Sequence, residues 1–173
     1  MNARLAAGLA AYLCLVLLAG CATSGPAQPA ERIRSAYELS LPVAATGARY
    51  GLAQLSGKVG AVYFFSTWCL PCLQELKTLS TLQSKYAAQG FAVIAIGLDL
   101  EGAKVLAPFE KASALPFPVL VADSYLRSGE SPYGIIRSVP TTVLLDREGK
   151  IAAAYEGPAD PLKLDSAVEN LVR

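Results

Sequence analysis

Residues 59–75 read Val-Gly-Ala-Val-Tyr-Phe-Phe-Ser-Thr-Trp-Cys-Leu-Pro-Cys-Leu-Gln-Glu, and their character changes halfway. From Val59 to Phe65 the run is almost continuously apolar, which suits a central strand covered on both faces. From Cys69 the period becomes helical: Leu73, Leu76, Leu79, Leu82, Gln83 and Tyr86 recur on one face, and Gly90 stands where a C-terminal cap is expected. Cys69 and Cys72 therefore sit where a buried strand hands over to a helix.

That placement carries chemistry. A thiolate is the nucleophile of disulfide exchange, and a free Cys, with a pKa of about 8.5, ionises more easily at a helix N-terminus. The unpaired N–H groups and the positive dipole end stabilise the anion there. A three-residue step brings Cys72 within one turn of Cys69, close enough for a disulfide. Pro71 costs little in the first turn, where its missing N–H would have no partner. A zinc site needs about four ligands, and two thiols without His fall short unless a dimer shares them. A purely structural disulfide gains little from so short a loop. A redox pair is the reading that remains.

Working outward, Tyr37 to Leu41 alternates as an edge strand would, stopped by Pro42. Thr46 to Arg49 is a turn candidate, and Tyr50 to Leu55 a second short strand. Phe91 to Leu98 is another buried strand. Ala103 to Ala114 is helical, with Pro108 liable to kink or delay it. Pro118 to Val121 is a short strand, and a loose helix is expected over Tyr125 to Ile136. Thr142–Leu145 and Ile151–Tyr155 flank Asp-Arg-Glu-Gly-Lys, a hairpin signal. Pro161 to Val172 closes the chain as an amphipathic helix built on Leu162, Leu164, Val168 and Leu171. The order predicts an α/β fold, a mixed central sheet with helices on both faces. Phe64 and Phe65 are read as core.

The 173 residues suffice for one domain with a real core. Fifteen basic and fourteen acidic side chains leave no charge field for nucleic acid. Histidine is absent, which excludes Ser-His and Cys-His catalysis and removes the commonest metal ligand. No metal or cofactor is expected. Of the four cysteines, Cys14 and Cys21 lie in or just after an apolar run from Leu5 to Gly20 that follows Arg4. A positive residue, a short apolar core and small exit residues describe a secretory signal peptide, short for a membrane span. Leu18-Ala19-Gly20-Cys21 resembles a bacterial lipobox, which implies cleavage before Cys21 and its acylation. The division expected is a signal over residues 1–20, lipidated Cys21 and a flexible tether over 21–34, and the folded domain over 35–173. An uncleaved anchor is the competing reading, and both place the domain outside the cytoplasm.

The stretch 59–75 resembles the active-site segment of the thioredoxin superfamily, more narrowly the lipid- or membrane-anchored TlpA/ResA type. A second motif supports this about 70 residues on: Val139-Pro140-Thr141-Thr142, then Val143 to Asp146 and Gly149-Lys150. Alone, Pro140 would read as a trans proline starting a strand, since only about 5–6% of X-Pro bonds are cis. The resemblance implies a thioredoxin-like fold with an N-terminal β-strand extension and an inserted helix-strand unit. It also implies a cis Pro140 beside the cysteines and substrate docking at Val139 and Pro140. Trp68 would shield the thiols and contact substrates, with closure of the core as its plainer reading.

Two departures stand out. Six residues before Cys69, where cytosolic thioredoxins carry a buried Asp, this chain has Tyr63. Glu75, three residues after Cys72, stands where the TlpA/ResA type often has a glutamate; it is either an acceptor for the Cys72 proton or a solvated first-turn residue favouring the dipole. The second departure is Leu70 between the cysteines. The implied activity is protein disulfide reduction in the bacterial envelope: Cys69 attacks, Cys72 resolves, and substrates include the haem-binding cysteines of apocytochrome c. Electrons would come from a membrane thiol donor. A monomer held by its lipid, facing the periplasm and leaning toward the outer membrane, is the expected form. Two alternatives compete. In a thiol peroxidase, Ser66 fits the position three before the reactive Cys but Val62 stands where Pro belongs. A Sco-like copper carrier would need C-x-x-x-C and a distant His.

Overall fold

The computed structural model describes residues 39–173. Cys14, Cys21, the proposed signal and tether, and Tyr37 at the start of the expected edge strand lie outside these residues. Strand β1 is Ser40–Pro42 and pairs antiparallel with β2, Arg49–Gly51; Pro42 sits inside the pairing, opposite Arg49. The second strand is shorter than the sequence suggests, because Leu52–Leu55 turn into a 3-10 helix that buries Leu52 and Leu55.

The main sheet has five strands: β3 Val59–Phe65, β4 Phe91–Gly97, β5 Val119–Val121, β6 Thr141–Leu145 and β7 Ile151–Glu156, in the order β5-β4-β3-β6-β7. The first three are parallel, while β6 and β7 run antiparallel to their neighbours. Every residue of β3 is buried, as its unbroken apolar run demands of a central strand. Helix α1, Leu70–Tyr86, links β3 to β4, and α2, Ala103–Ser113, links β4 to β5. Both crossovers step the same way along the sheet, so right-handed connections place both helices on one face. The last helix, α4, Pro161–Val172, joins them there.

That face buries Leu76, Leu79, Leu82 and Tyr86 of α1 and Leu164 and Val168 of α4 against Val59, Ala61, Tyr63 and Leu144. Each fully buried Leu contributes about 1.5–3 kcal/mol. Gln83, on the same stripe, has a polar task. It accepts from Val93 N (2.7 Å) and donates to Phe91 O (3.2 Å), capping the part of β4 beyond the short β5. The opposite face is covered by the β1–β2 hairpin, the 3-10 helix and the one-turn helix α3, Ser124–Arg127, around Val62, Phe64, Ile94, Ile96 and Leu120. Phe64 and Phe65 are both core residues.

The helix expected over Ala103–Ala114 forms without delay, and the loose helix after β5 does not. Helix α2 runs through Pro108, whose ring and the Lys104 carbonyl it frees are on exposed residues, so water can replace the lost bond. The loose helix over 125–136 is only α3; beyond it Gly129 and Gly134 adopt positive φ, and Ile136 N returns to Gly129 O at 2.6 Å. In the closing helix Leu162 is exposed, so the apolar stripe begins at Leu164. Gly97 is required for packing: a Cβ there would meet Leu106 at 2.4 Å. No helix among the described residues is long and apolar enough to cross a membrane.

Candidate active site

Strand β3 delivers Phe65 to the sheet edge, and residues 66–69 turn the chain into α1. Two contacts fix that turn. Cys69 N donates to Ser66 O (3.1 Å), and Thr67 donates its N–H (3.1 Å) and its hydroxyl (2.6 Å) to Asp99, a buried carboxylate just after β4. The sequence reading did not single out Asp99. Its available signal was an acidic residue directly following a buried parallel strand, hence on the same sheet edge as the cysteines.

Cys69 is the N-cap of α1, with extended backbone, and its sulfur accepts from Cys72 N at 3.2 Å. Cys69 and Cys72 are joined in a disulfide, so the capping sulfur marks where the reduced thiolate would sit. There it faces the unpaired N–H groups of the first turn. Cys72 is fully buried, and the little exposure the pair has, 6%, belongs to Cys69. Their neighbours do the opposite: Trp68 is 76% exposed and Leu70 68%. Trp68 does not close the core; it stands in solvent beside the pair.

Beneath Cys72 lies a polar cluster. Tyr63, from β3, donates its hydroxyl to Cys72 O at 2.9 Å. Burial, and then the charge of Glu75, push the Tyr63 phenol far above its ordinary range, so it stays a neutral donor. Glu75 is buried, not a surface residue of the first turn. Its Oε1 accepts from Thr142 Oγ1 (2.5 Å) and its Oε2 from Ala159 N (3.0 Å). One turn along α1 from Cys72, it shares that residue's helix face. The reading of Glu75 as a solvated helix-start residue does not fit this burial.

The Val139–Pro140 bond is cis. Thr141 pairs with Phe64, which sets Pro140 at the sheet edge where β3 leads to the cysteines. Pro140 is buried and accepts from Gly157 N at 2.8 Å, and Val139 packs against the cluster containing Cys69 and Cys72. A cavity of about 420 Å3 opens farther along, between α1 and the end of α2, lined by Leu73, Leu76, Lys77, Ser80, Phe109 and Leu115. The cysteines do not line it. Among the described residues, no three His, Cys, Asp or Glu side chains gather for a metal ion.

The arrangement has counterparts. The AhpC/TSA family matches residues 34–159. The thiol-disulfide oxidoreductase ResA of Bacillus thuringiensis is 30% identical over 127 residues, covering 72% of this chain and 70% of that protein. The thioredoxin-like protein YneN of Bacillus subtilis is 27% identical, covering 72% and 71%. Among solved structures, a thiol:disulfide interchange protein of the thioredoxin family from Chlorobium tepidum superposes with a TM-score of 0.63 at 27% identity, covering 78% of this chain and 93% of that one. The five-stranded mixed sheet with its helices is thus a thioredoxin-like fold.

Proposed function

Since this chain belongs to the AhpC/TSA family and is a ResA-type thiol-disulfide oxidoreductase with a Cys69–Cys72 pair, we propose that it works as a reductant of protein disulfides outside the cytoplasm. Cys69, as the thiolate, attacks a substrate disulfide, giving a mixed disulfide and one substrate thiolate, which takes a proton from water. Cys72 loses its proton to Glu75 and attacks Cys69 Sγ; the Cys69–substrate bond breaks and the Cys69–Cys72 bond forms. The second substrate thiolate leaves and takes a proton from water. The protein dithiol is oxidised by two electrons and the substrate disulfide reduced. Val139 and cis Pro140 dock the substrate backbone, with Trp68 as an exposed apolar contact.

The observation that carries this reading is the buried Glu75, one turn below a fully buried Cys72. A resolving thiol shut away from water needs an internal proton acceptor, and this carboxylate supplies one. A negative group there also disfavours thiolate, as does the lack of a basic chain neighbour at Cys69, flanked by Trp68 and Leu70. Both make the couple more reducing. Substrates of this class include the paired cysteines of apocytochrome c, with electrons from a membrane thiol donor and attachment through lipidated Cys21.

Trapping tests it. Cys72→Ser, expressed in a cell whose envelope proteins carry disulfides, should accumulate mixed disulfides through Cys69, and Cys69→Ser should not. Failure to capture any protein, with rapid peroxide consumption supported by a thiol donor, would replace this reading with the peroxidase.

A further inference from the structure

Glu75 is held by two donors of different kinds. Ala159 N is a backbone amide, which can only donate. Thr142 Oγ1 is a hydroxyl, which can donate to a carboxylate or turn and accept from a carboxylic acid. A proton arriving on Oε2 would have to take the lone pair that the Ala159 N–H leaves free, and that amide cannot accept it. One arriving on Oε1 meets an oxygen that can accept it. Thr142 is fully buried, so water does not substitute for that hydroxyl.

We propose that Thr142 is a positioning residue for proton transfer: it directs the Cys72 proton to Glu75 Oε1 by reversing its own hydrogen bond. This rests on the reading of Glu75 as the proton acceptor. The groups facing the carboxylate support a reversible hydroxyl rather than a cation as its partner. From β3 comes Tyr63, held neutral. From β7 comes Tyr155, paired with Thr142 and packed on the same cluster. From α1 itself comes Cys72, one turn before Glu75. Beyond Ala159, both first-turn amides at Leu162 and Lys163 occupy Asp160 Oδ1. Among the described residues Glu75 has no ion-pair partner. Register reinforces the geometry: Tyr63, Thr142 and Tyr155 are cross-strand neighbours on one face, so the sheet, not a mobile loop, holds the hydroxyl in place.

The experiment uses the full-length protein, reduced and joined at Cys69 to a small aromatic thiol, and follows release of that thiol by Cys72 as a function of pH. Release should show an acidic limb that depends on the Glu75 carboxylate. Thr142→Val keeps the shape but removes a donor to the charged form. It should move the acidic limb upward by about one to two pH units, the equivalent of one hydrogen bond to a charged group. Thr142→Ser keeps the hydroxyl and should restore the parent profile. If Glu75→Gln abolishes the limb while Thr142→Val leaves it in place, the role of Thr142 is overturned and that of Glu75 stands. If Glu75→Gln leaves the limb in place, both fall. A shift in Thr142→Val that Thr142→Ser shares also overturns the proposal, since both would then report altered packing.

Discussion

Replacing Glu75 in two ways separates what its carboxylate does for the fold from what it does for the reaction. In Glu75→Gln the amide oxygen can take the Ala159 N–H while the amide nitrogen donates to Thr142 Oγ1, which turns to accept. Both contacts survive, and the cost of burying a charge disappears, so stability should stay within about 1 kcal/mol of the parent. In Glu75→Ala neither contact survives. Thr142 has no access to water, so its orphaned hydroxyl costs about 1–3 kcal/mol, and the lost methylene adds about 0.8 kcal/mol. The Ala159 amide is half-exposed and can recover part of its loss from water. The total is roughly 2–4 kcal/mol, a fall in Tm on the order of 10 °C for a domain of this size.

Two assays read the pair: thermal unfolding of the oxidised proteins, and turnover against a model disulfide across pH. Glu75→Ala should melt early. Glu75→Gln should melt with the parent yet turn over about 100-fold or more slowly, the low end of what a positioned proton acceptor supplies. A Glu75→Ala protein melting within about 2 °C of the parent would show that the clamp on β6 is not energetic. Parent-like turnover and an unchanged pH profile in Glu75→Gln would refute the proton-transfer argument while leaving the structural one intact.

Three further outcomes are expected. In the reduced protein, iodoacetamide should modify Cys69 well before Cys72, because Cys72 is fully buried and Cys69 caps the helix; mass mapping of the first adduct decides, and a Cys72 adduct reverses the roles. The Cys69–Cys72 couple, equilibrated against glutathione buffers, should prove more reducing than about −180 mV, the value for protein disulfide isomerase; a higher potential rules out the reductant reading but not the oxidoreductase. The native protein should begin at an acylated Cys21 and partition with membranes, and Cys21→Ser should block that processing; an intact Met1 on the native protein would refute the lipobox.

The elements that the sequence made legible are those where period and punctuation agree. Val59–Phe65 could only be a buried strand, and the leucines of α1 could only face a core. The closing helix was equally plain, with Asp160 and Pro161 at its start. What stayed hidden depended on tertiary partners. Leu52 and Leu55 fit a strand or a 3-10 turn equally well until both are needed on one face. The segment after Arg127 has helical spacing, but Gly129 and Gly134 take up conformations that stop a helix. Glu75 was ambiguous because its burial depends on Thr142 and Ala159, which lie 67 and 84 residues away. Asp99 offered only its place after a buried strand, its partner Thr67 being 32 residues distant.

Those long separations converge on one small assembly. The segment carrying Pro140 continues within two residues to Thr142, so the strand that follows the proposed docking residues also holds the Glu75 carboxylate. The segment after β7 makes the second hold through Ala159, and its Gly157 N is bonded to Pro140 O. Residues 139–142 and 157–159 are thus tied to each other and to the same carboxylate. Tyr63 completes the frame by fixing the Cys72 carbonyl from the neighbouring strand. With Tyr63 at the strand position where a thioredoxin-type carboxylate would sit, the buried acid lies on α1 itself, one turn from Cys72. On the proposed reading, that exchange keeps the acceptor in register with Cys72 through the helix, while both hydrogen bonds to it come from the segments that hold Pro140. A substitution at Pro140 or Gly157, which tie the two segments together, should therefore alter the pH dependence of attack by Cys72 as well as substrate affinity, whereas one in the α2–β5 unit, tied to the hairpin through Glu110, should alter neither.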